Sequence, residues 1–327
     1  MFMVRNRIIS AGLCALMVIA SDAAFAQSWP TKPITIVIPF PPGPGLDLVA
    51  RMVGDKLSAA LGQPVVYENR TGANGRIAAE FVARAVPDGY TLMAAATSTH
   101  ATNVHLIKDL SYDPTKNFTP IIKSVETIGS LVVNRSVVPV NSVAELVDYA
   151  KQNPGKLSFG SSGVGSFFHL AGELFNQTAG VKTTHVPYRG SVAAFTDLIG
   201  GHIQINFTQL SQALAYRDNS ALKVLAVLEE TRFSRHPEFP SITDSIRTFR
   251  MPPTWNGIVG PAGMPESVVQ RLNAELNKAL NIPEIRGKLE DSGYRVVGGT
   301  PDAFGKRIRD DIAFYGPIFK SLGIQPQ

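Results

Sequence analysis

The stretch FGSSGVGSFFHLAGELF, residues 159–175, gathers groups suited to holding an anion. Ser161, Ser162 and Ser166 offer hydroxyls, Gly163 and Gly165 leave amides uncovered, and an amphipathic helix starts at once. A helix start of this kind presents backbone N–H groups to negative charge. A second such stretch is IPFPPGPGLD, residues 38–47, where prolines stiffen the exit from a strand and Gly43 and Gly45 permit positive φ. Asp47 falls in the first turn of the helix that follows, where a carboxylate caps free N–H groups. A single helix terminus is worth about 0.3–1 kcal/mol to an exposed anion and up to ~2 when partly buried. Micromolar affinity needs about 8 kcal/mol, so one loop is not enough, whereas two facing loops with hydroxyls and apolar burial could supply it.

Catalytic readings of the same residues fail on spacing. Val164 stands where G-x-S-x-G would need its last glycine, and neither loop carries the Gly-Lys-Ser/Thr of a phosphate-binding P-loop or a GxGxxG. Ser166 and His169 are three residues apart and could meet on one helix face as nucleophile and base, which defines a secreted hydrolase as the alternative reading. No orienting carboxylate is evident beside them, so no catalytic residue is assigned. His100, His105, His185, His202 and His236 lack metal-ligand spacing; no metal or cofactor is expected. Arg189, in a loop between Tyr188 and Gly190, and Thr208, after the run IQINF, stand where strand ends line clefts in α/β folds.

The elements that must place these loops alternate along the chain. Strands are expected over 34–38, 65–67 and 90–96, each followed by a helical pattern or a polar loop, TSTHATN after the third. The order recurs with a strand over 157–160, a helix over 167–177 stopped at Gly180, a strand over 184–186, a helix over 192–199 and a strand over 203–207. A last strand and two helices, over 255–260, 265–280 and 304–319, are expected to return to the first half and complete it. Such alternation implies an α/β fold of two lobes, each a mixed, mostly parallel sheet flanked by helices. The expected division is 27–125 with 229–327 for lobe one and 126–228 for lobe two.

Residues 1–26 read as a cleaved signal peptide: Arg5 and Arg7, an apolar run, then Ala24-Phe25-Ala26 as the cleavage site. Cys14 is the one cysteine and lies inside that segment, so the exported chain is built without disulfides, as suits a bacterial periplasm. With 44% hydrophobic and 17% charged residues the chain is globular, and its net charge of +5 is dispersed, with no basic run interleaved with aromatics. That pattern argues against nucleic acid.

WPTKPITIVIPFPPGPGLDLVAR, LGQPVVYENRTGANG, PDGYTL, STHATN, HVPYRG, LIGGHIQINF and WNGIVGPAGMP, with the Gly/Ser stretch, stand in an order that resembles the periplasmic substrate-binding proteins of tripartite tricarboxylate transporters, also called Bug proteins. The resemblance spans the whole mature chain. It implies a type II-like periplasmic binding fold with a ligand cleft at the hinge, a small mono- or dicarboxylate as ligand, and delivery to membrane permease subunits by a monomeric receptor. A sensor in place of the permease is the other output considered. Carried over position by position, it implies ligand contacts at Phe40, Pro42, Gly43, Gly45 and Asp47, and at Ser98, Thr99 and His100. In lobe two it implies Ser161, Ser162, Gly163, Gly165, Ser166, His169 and the region of Arg189. Two departures stand out: Pro44 follows Gly43 where a second Gly is common, and Thr208 stands where many members carry Asp, which disfavours an amino-acid ligand.

Overall fold

A computed structural model describes residues 29–326 apart from 44 and 189. The signal-peptide reading and the Arg189 assignment therefore fall outside the described residues.

Two sheets carry the fold. The first is six-stranded, in the order β11-β4-β10-β3-β1-β2, built from β1 (Ile34–Ile38), β2 (Val65–Asn69), β3 (Thr91–Ala96), β4 (Phe118–Thr127), β10 (Thr254–Pro261) and β11 (Tyr294–Val296). Its strands show why both faces are covered. Ile34, Ile36 and Ile38 point into one core with Leu92 and Ala94, while the alternate residues Val37, Met93 and Ala95 point into another. The first core is closed by α1 (Leu46–Leu61), α8 (Glu266–Asn281) and α9 (Pro283–Asp291), the second by α2 (Arg76–Ala83) and the start of α10 (Pro301–Ser321). Strands buried on both faces read as near-continuous apolar runs, as ITIVI does.

The second sheet has the order β7-β6-β8-β5-β9, with β5 (Gly129–Asn134), β6 (Ser158–Ser161), β7 (Thr184–Pro187), β8 (Ile205–Gln209) and β9 (Leu222–Val227). Leu131, Phe159, Ile205 and Phe207 pack under α4 (Val143–Gln152) and α5 (Phe167–Ala179). On the other face Val132 packs with α6 (Ser191–Ile199) and α7 (Leu210–Ala215) through Phe195, Leu198 and Ala213.

Both sheets are mixed. Parallel pairing joins β1 to β2 and β3, and β6 to β7 and β8, as the βα alternation requires. The antiparallel pairs come from the strands that lead from one sheet to the other and back: β4 and β10 in the first, β5 and β9 in the second. A chain that crosses and returns arrives with its direction reversed, and this share of antiparallel pairing is not visible in local periodicity. Only Ile128 separates β4 from β5, and the two crossings run side by side, with Leu228 N donating to Gly129 O at 2.9 Å.

The end of the chain divides between the cores, whereas the sequence reading assigned all of it to the first half. Phe304 and Ile308 of α10 pack on the first sheet, Tyr315 and Phe319 in the core of the second. A 21-residue helix is about 30 Å long, enough to span both. Residues 97–103, expected as a polar loop, fall in a π-helical turn (Ser98–Thr102) that runs into the short helix α3 (Asn103–Leu106). Thr99 starts the turn by donating to Ala96 O at 2.9 Å and receiving Ala96 N–H at 3.1 Å.

Candidate functional site: a line of glycine loops joining the two sheets

The loop after β1 is held from behind by Asp47. Its Oδ2 receives Gly43 N–H at 3.1 Å and Arg51 Nε at 2.9 Å, and its Oδ1 receives Asn69 Nδ2 at 2.9 Å. Asn69 also donates to Phe40 O at 2.8 Å, closing the loop from both ends. Burial works to raise the Asp47 pKa, but the hydrogen bonds from Arg51, Asn69 and Gly43 outweigh it and hold the carboxyl below its usual value. Gly45 enters α1 at φ +96°, and no side chain caps the start of the helix.

Next along the line is the turn after β2. Gly72, Ala73, Asn74 and Gly75 all have positive φ, and a β-carbon on Gly75 would collide with Thr99 and Pro39. Asn74 Nδ2 donates to Asn103 Oδ1 at 2.8 Å and Asn103 returns a bond to Asn74 O at 3.2 Å, which ties this turn to α3. The far end of α3 then meets the second sheet. Leu106 lies directly against Gly165 and, with Ala101, belongs to the second core.

The Gly/Ser loop after β6 has its own frame. Ser166 caps α5 by receiving His169 N–H at 3.2 Å, and Gly165 N–H donates to His169 Nδ1 at 3.0 Å. Ser161 Oγ lies 2.7 Å from His185 Nε2 and receives Gly163 N–H at 3.2 Å. Gly163 is close to the carbonyl of Tyr188, so the loop after β7 runs beside it.

The residues singled out in the sequence divide into two groups. Pro42, Gly43, Gly45 and Ser98 keep accessible surface in the first half, and Ser162, Gly163 and Ser166 do so in the second, while Phe40 is half-buried against the first core. Asp47, Ser161, Gly165 and His169 are buried and spent on the hydrogen bonds that shape the loops. Thr99 and His100 have no exposed surface. The His100 ring packs edge-on against Phe118 at 4.5 Å with its Nδ1 on Thr99, and burial lowers its pKa to about 3. Thr208 is also fully buried, and its hydroxyl donates to Gln212 Oε1 at 3.0 Å. In the structure the Thr99, His100 and Thr208 side chains are buried and bonded within the protein.

Ser166 and His169 do not form a nucleophile–base pair. The hydroxyl bonds the backbone of His169, and the Nδ1 of the ring is taken by Gly165. Sequence reasoning gives no role to Asn69, Asn103 or Gln212 and names His185 only as a histidine without metal-ligand spacing, although Asn69, Asn103 and His185 stand inside the quoted stretches around the loops. Among the described residues no group of three or more His, Cys, Asp or Glu is placed to hold a metal, and no helix is long and apolar enough to cross a membrane.

Two mixed α/β sheets, joined by adjacent crossings and lined at the strand ends by glycine loops, define the periplasmic-binding-protein class. The chain belongs to the tripartite tricarboxylate transporter receptor family, whose model matches residues 49–324. It is 33% identical over 311 residues to the UPF0065 protein in the tcbD-tcbE intergenic region of Pseudomonas sp. (strain P51), covering 94% of this chain and 91% of that one. Among solved structures, it is similar to R. palustris Rpa4515 with adipate, at TM-score 0.84 and 34% identity over 91% of this chain and all of that one. MatC (Rpa3494) from Rhodopseudomonas palustris with bound malate gives a TM-score of 0.77 at 29% identity over 89% of this chain and 99% of that one.

Proposed function

We propose that the protein is a periplasmic receptor that binds a small dicarboxylate between the two loop sets and passes it, unaltered, to the permease subunits of a tripartite transporter. The observation that carries this reading is the run of contacts from Pro39–Gly75 through Asn74–Asn103 to Leu106–Gly165, which links the loops after β1, β2 and β6 although they belong to different sheets. Each helix start alone is too weak an anion site, and the pair together with serine hydroxyls approaches what a micromolar ligand needs. The accessible groups at Gly43, Gly45, Ser98, Ser162, Gly163 and Ser166 are the ligand contacts. The cleft lies between lobe one, built on 27–125 with part of 229–327, and lobe two, built on 126–228 with the segments of 229–327 that pack into its core. Adipate and malate in the two similar structures are both dicarboxylates. Export follows from the 24–26 cleavage site, and no step of bond breaking is assigned.

A melting screen tests the reading. A ligand at 100 times its Kd stabilises the folded state by about 2.7 kcal/mol, a shift of several degrees for a chain of this size. Adipate, malate and other mono-, di- and tricarboxylates are compared with their neutral amides. Shifts from a subset of the acids, none from the amides, and recovery of the best acid intact after overnight incubation are expected. Equal shifts from acid and amide overturn the anion reading, and a consumed acid revives the hydrolase. Capture of a sensor instead of permease subunits by the closed receptor would redirect the output.

A further inference from the structure

Two imidazole rings lie face to face behind the Gly/Ser loop. The centroids of His169 and His185 are 3.9 Å apart with the planes at 23°, and Phe159 stacks on His185 at 4.9 Å. The hydrogen bonds around them fix where each proton sits. Gly165 N–H points to His169 Nδ1, and an N–H is received only by an unprotonated ring nitrogen, so the ring carries its proton on Nε2, 3.8 Å from Glu173 Oε1. Ser161 Oγ has one proton and three neighbours: Gly163 O at 3.1 Å, Gly163 N–H at 3.2 Å and His185 Nε2 at 2.7 Å. With that proton given to Gly163 O, the two lone pairs receive Gly163 N–H and a His185 Nε2–H, and every group is paired. With it given to His185, the Gly163 carbonyl keeps only Ser166 N–H, at 3.2 Å, and one bond fewer is made. The arrangement with the larger number of hydrogen bonds again puts the ring proton on Nε2.

Each ring therefore governs one glycine of the loop: His169 holds Gly165 directly, and His185 holds Gly163 through Ser161. Both glycines stand at positive φ, +74° and +127°; the Gly163 carbonyl also receives Ser166 N–H at 3.2 Å, and Gly165 packs against Leu106. We propose that the His169–His185 stack is the positioning element of the ligand loop, setting Gly163 and Gly165 in the conformation that receives a carboxylate. The inference rests on reading this loop as a ligand contact. Burial lowers the pKa of both rings to about 4, with the neighbouring His169 adding to the effect on His185, so the stack is neutral at working pH. Glu173 is the charged group that faces it, and burial raises its pKa.

The test pairs conservative and apolar variants, with adipate as the probe. His169→Asn keeps an acceptor near the Nδ1 position and His185→Gln keeps a donor near the Nε2 position; the leucine variants keep bulk against Phe159 and lose both. His169→Leu and His185→Leu should each weaken adipate binding about tenfold or more, and the amide variants by less than about threefold, since one hydrogen bond is restored. Imidazole nitrogen resonances of the ligand-free wild type at neutral pH should show both rings neutral with the proton on Nε2, a signature independent of whether the leucine variants fold. Leucine variants that bind adipate as the wild type does, or a His169 ring protonated on Nδ1, overturn the proposal. A wild type that takes up no dicarboxylate overturns the loop reading itself, and with it the purpose of the stack, whichever tautomers are found.

Discussion

Leu106 and Gly165 touch across the boundary between the two sheets, with no room for a β-carbon on the glycine. Gly165 also sits at φ +74°, so alanine there meets two penalties at once. The left-handed backbone costs about 1–2 kcal/mol and overpacking against Leu106 about 1–3 kcal/mol. Gly165→Ala should lower the melting temperature and weaken carboxylate binding together. Adding Leu106→Ala should recover the overpacking part and leave the backbone part. A single variant that melts with the wild type would show that the loop does not rest on Leu106.

Asp47 is a carboxylate inside a proposed anion site, yet its charge is committed to Arg51 and its side chain is 5% exposed. Asp47→Asn places an amide N–H against donors from Gly43, Arg51 or Asn69, and should cost about 1–3 kcal/mol of stability along with the shape of the loop at 40–45. The sign with pH follows from the lowered pKa. Its contribution is complete above the ordinary carboxylate range and fades as pH falls through the depressed folded value. Urea midpoints of wild type and variant should therefore differ at neutral pH and draw together in acid. A gap that persists undiminished at low pH would argue against the ion pair as its source.

The sequence makes plain the parts of this molecule whose cause is local. ITIVI reads as a strand, and a serine, Ser162 or Ser166, stands where a cap for α5 belongs, because alternation and capping act over a few residues; the structure gives the cap to Ser166. The loops at 38–47 and 161–166 are legible for the same reason. The second layer is not. His169 and His185 are 16 residues apart in the chain, and their stacking depends on β6 and β7 lying parallel in register, with Phe159 opposite His185. The π-helical turn at Ser98–Thr102 has no periodic signature, so the burial of Thr99 and His100 could not be foreseen from polarity. The amphipathic pattern of α10 shows that one face is buried but not that its two ends are buried against different sheets.

Ser166 serves two ends that one variant can separate. Its oxygen receives His169 N–H, which leaves the hydroxyl proton to donate to a ligand oxygen. Ser166→Ala should cost about 1 kcal/mol of stability for the cap and about 1.5–3 kcal/mol of binding for a hydrogen bond to charge. Denaturant melts give the first figure and calorimetry with adipate the second. An unchanged Kd beside a lowered stability would reduce Ser166 to a cap.

Glu229 stands at the paired crossings, 6% exposed, with Oε1 receiving Gly129 N–H at 3.1 Å and Oε2 buried without a partner among the described residues. Burial raises its pKa to about 7 and Glu126 adds to the rise, against the pull of the Gly129 amide and Arg295. The sign is opposite to that of Asp47. The folded state holds this proton more tightly than the unfolded chain, so the contribution is complete below about 4.5, the ordinary glutamate value, and is lost as pH rises towards about 7. Glu229→Gln keeps an acceptor for Gly129 and cannot ionise, so it lacks that loss. The variant should gain on the wild type between about pH 5 and about pH 8, by an amount read directly as the change in the gap between their urea midpoints. An identical gap at both pH values would show that Glu229 carries no proton across that range.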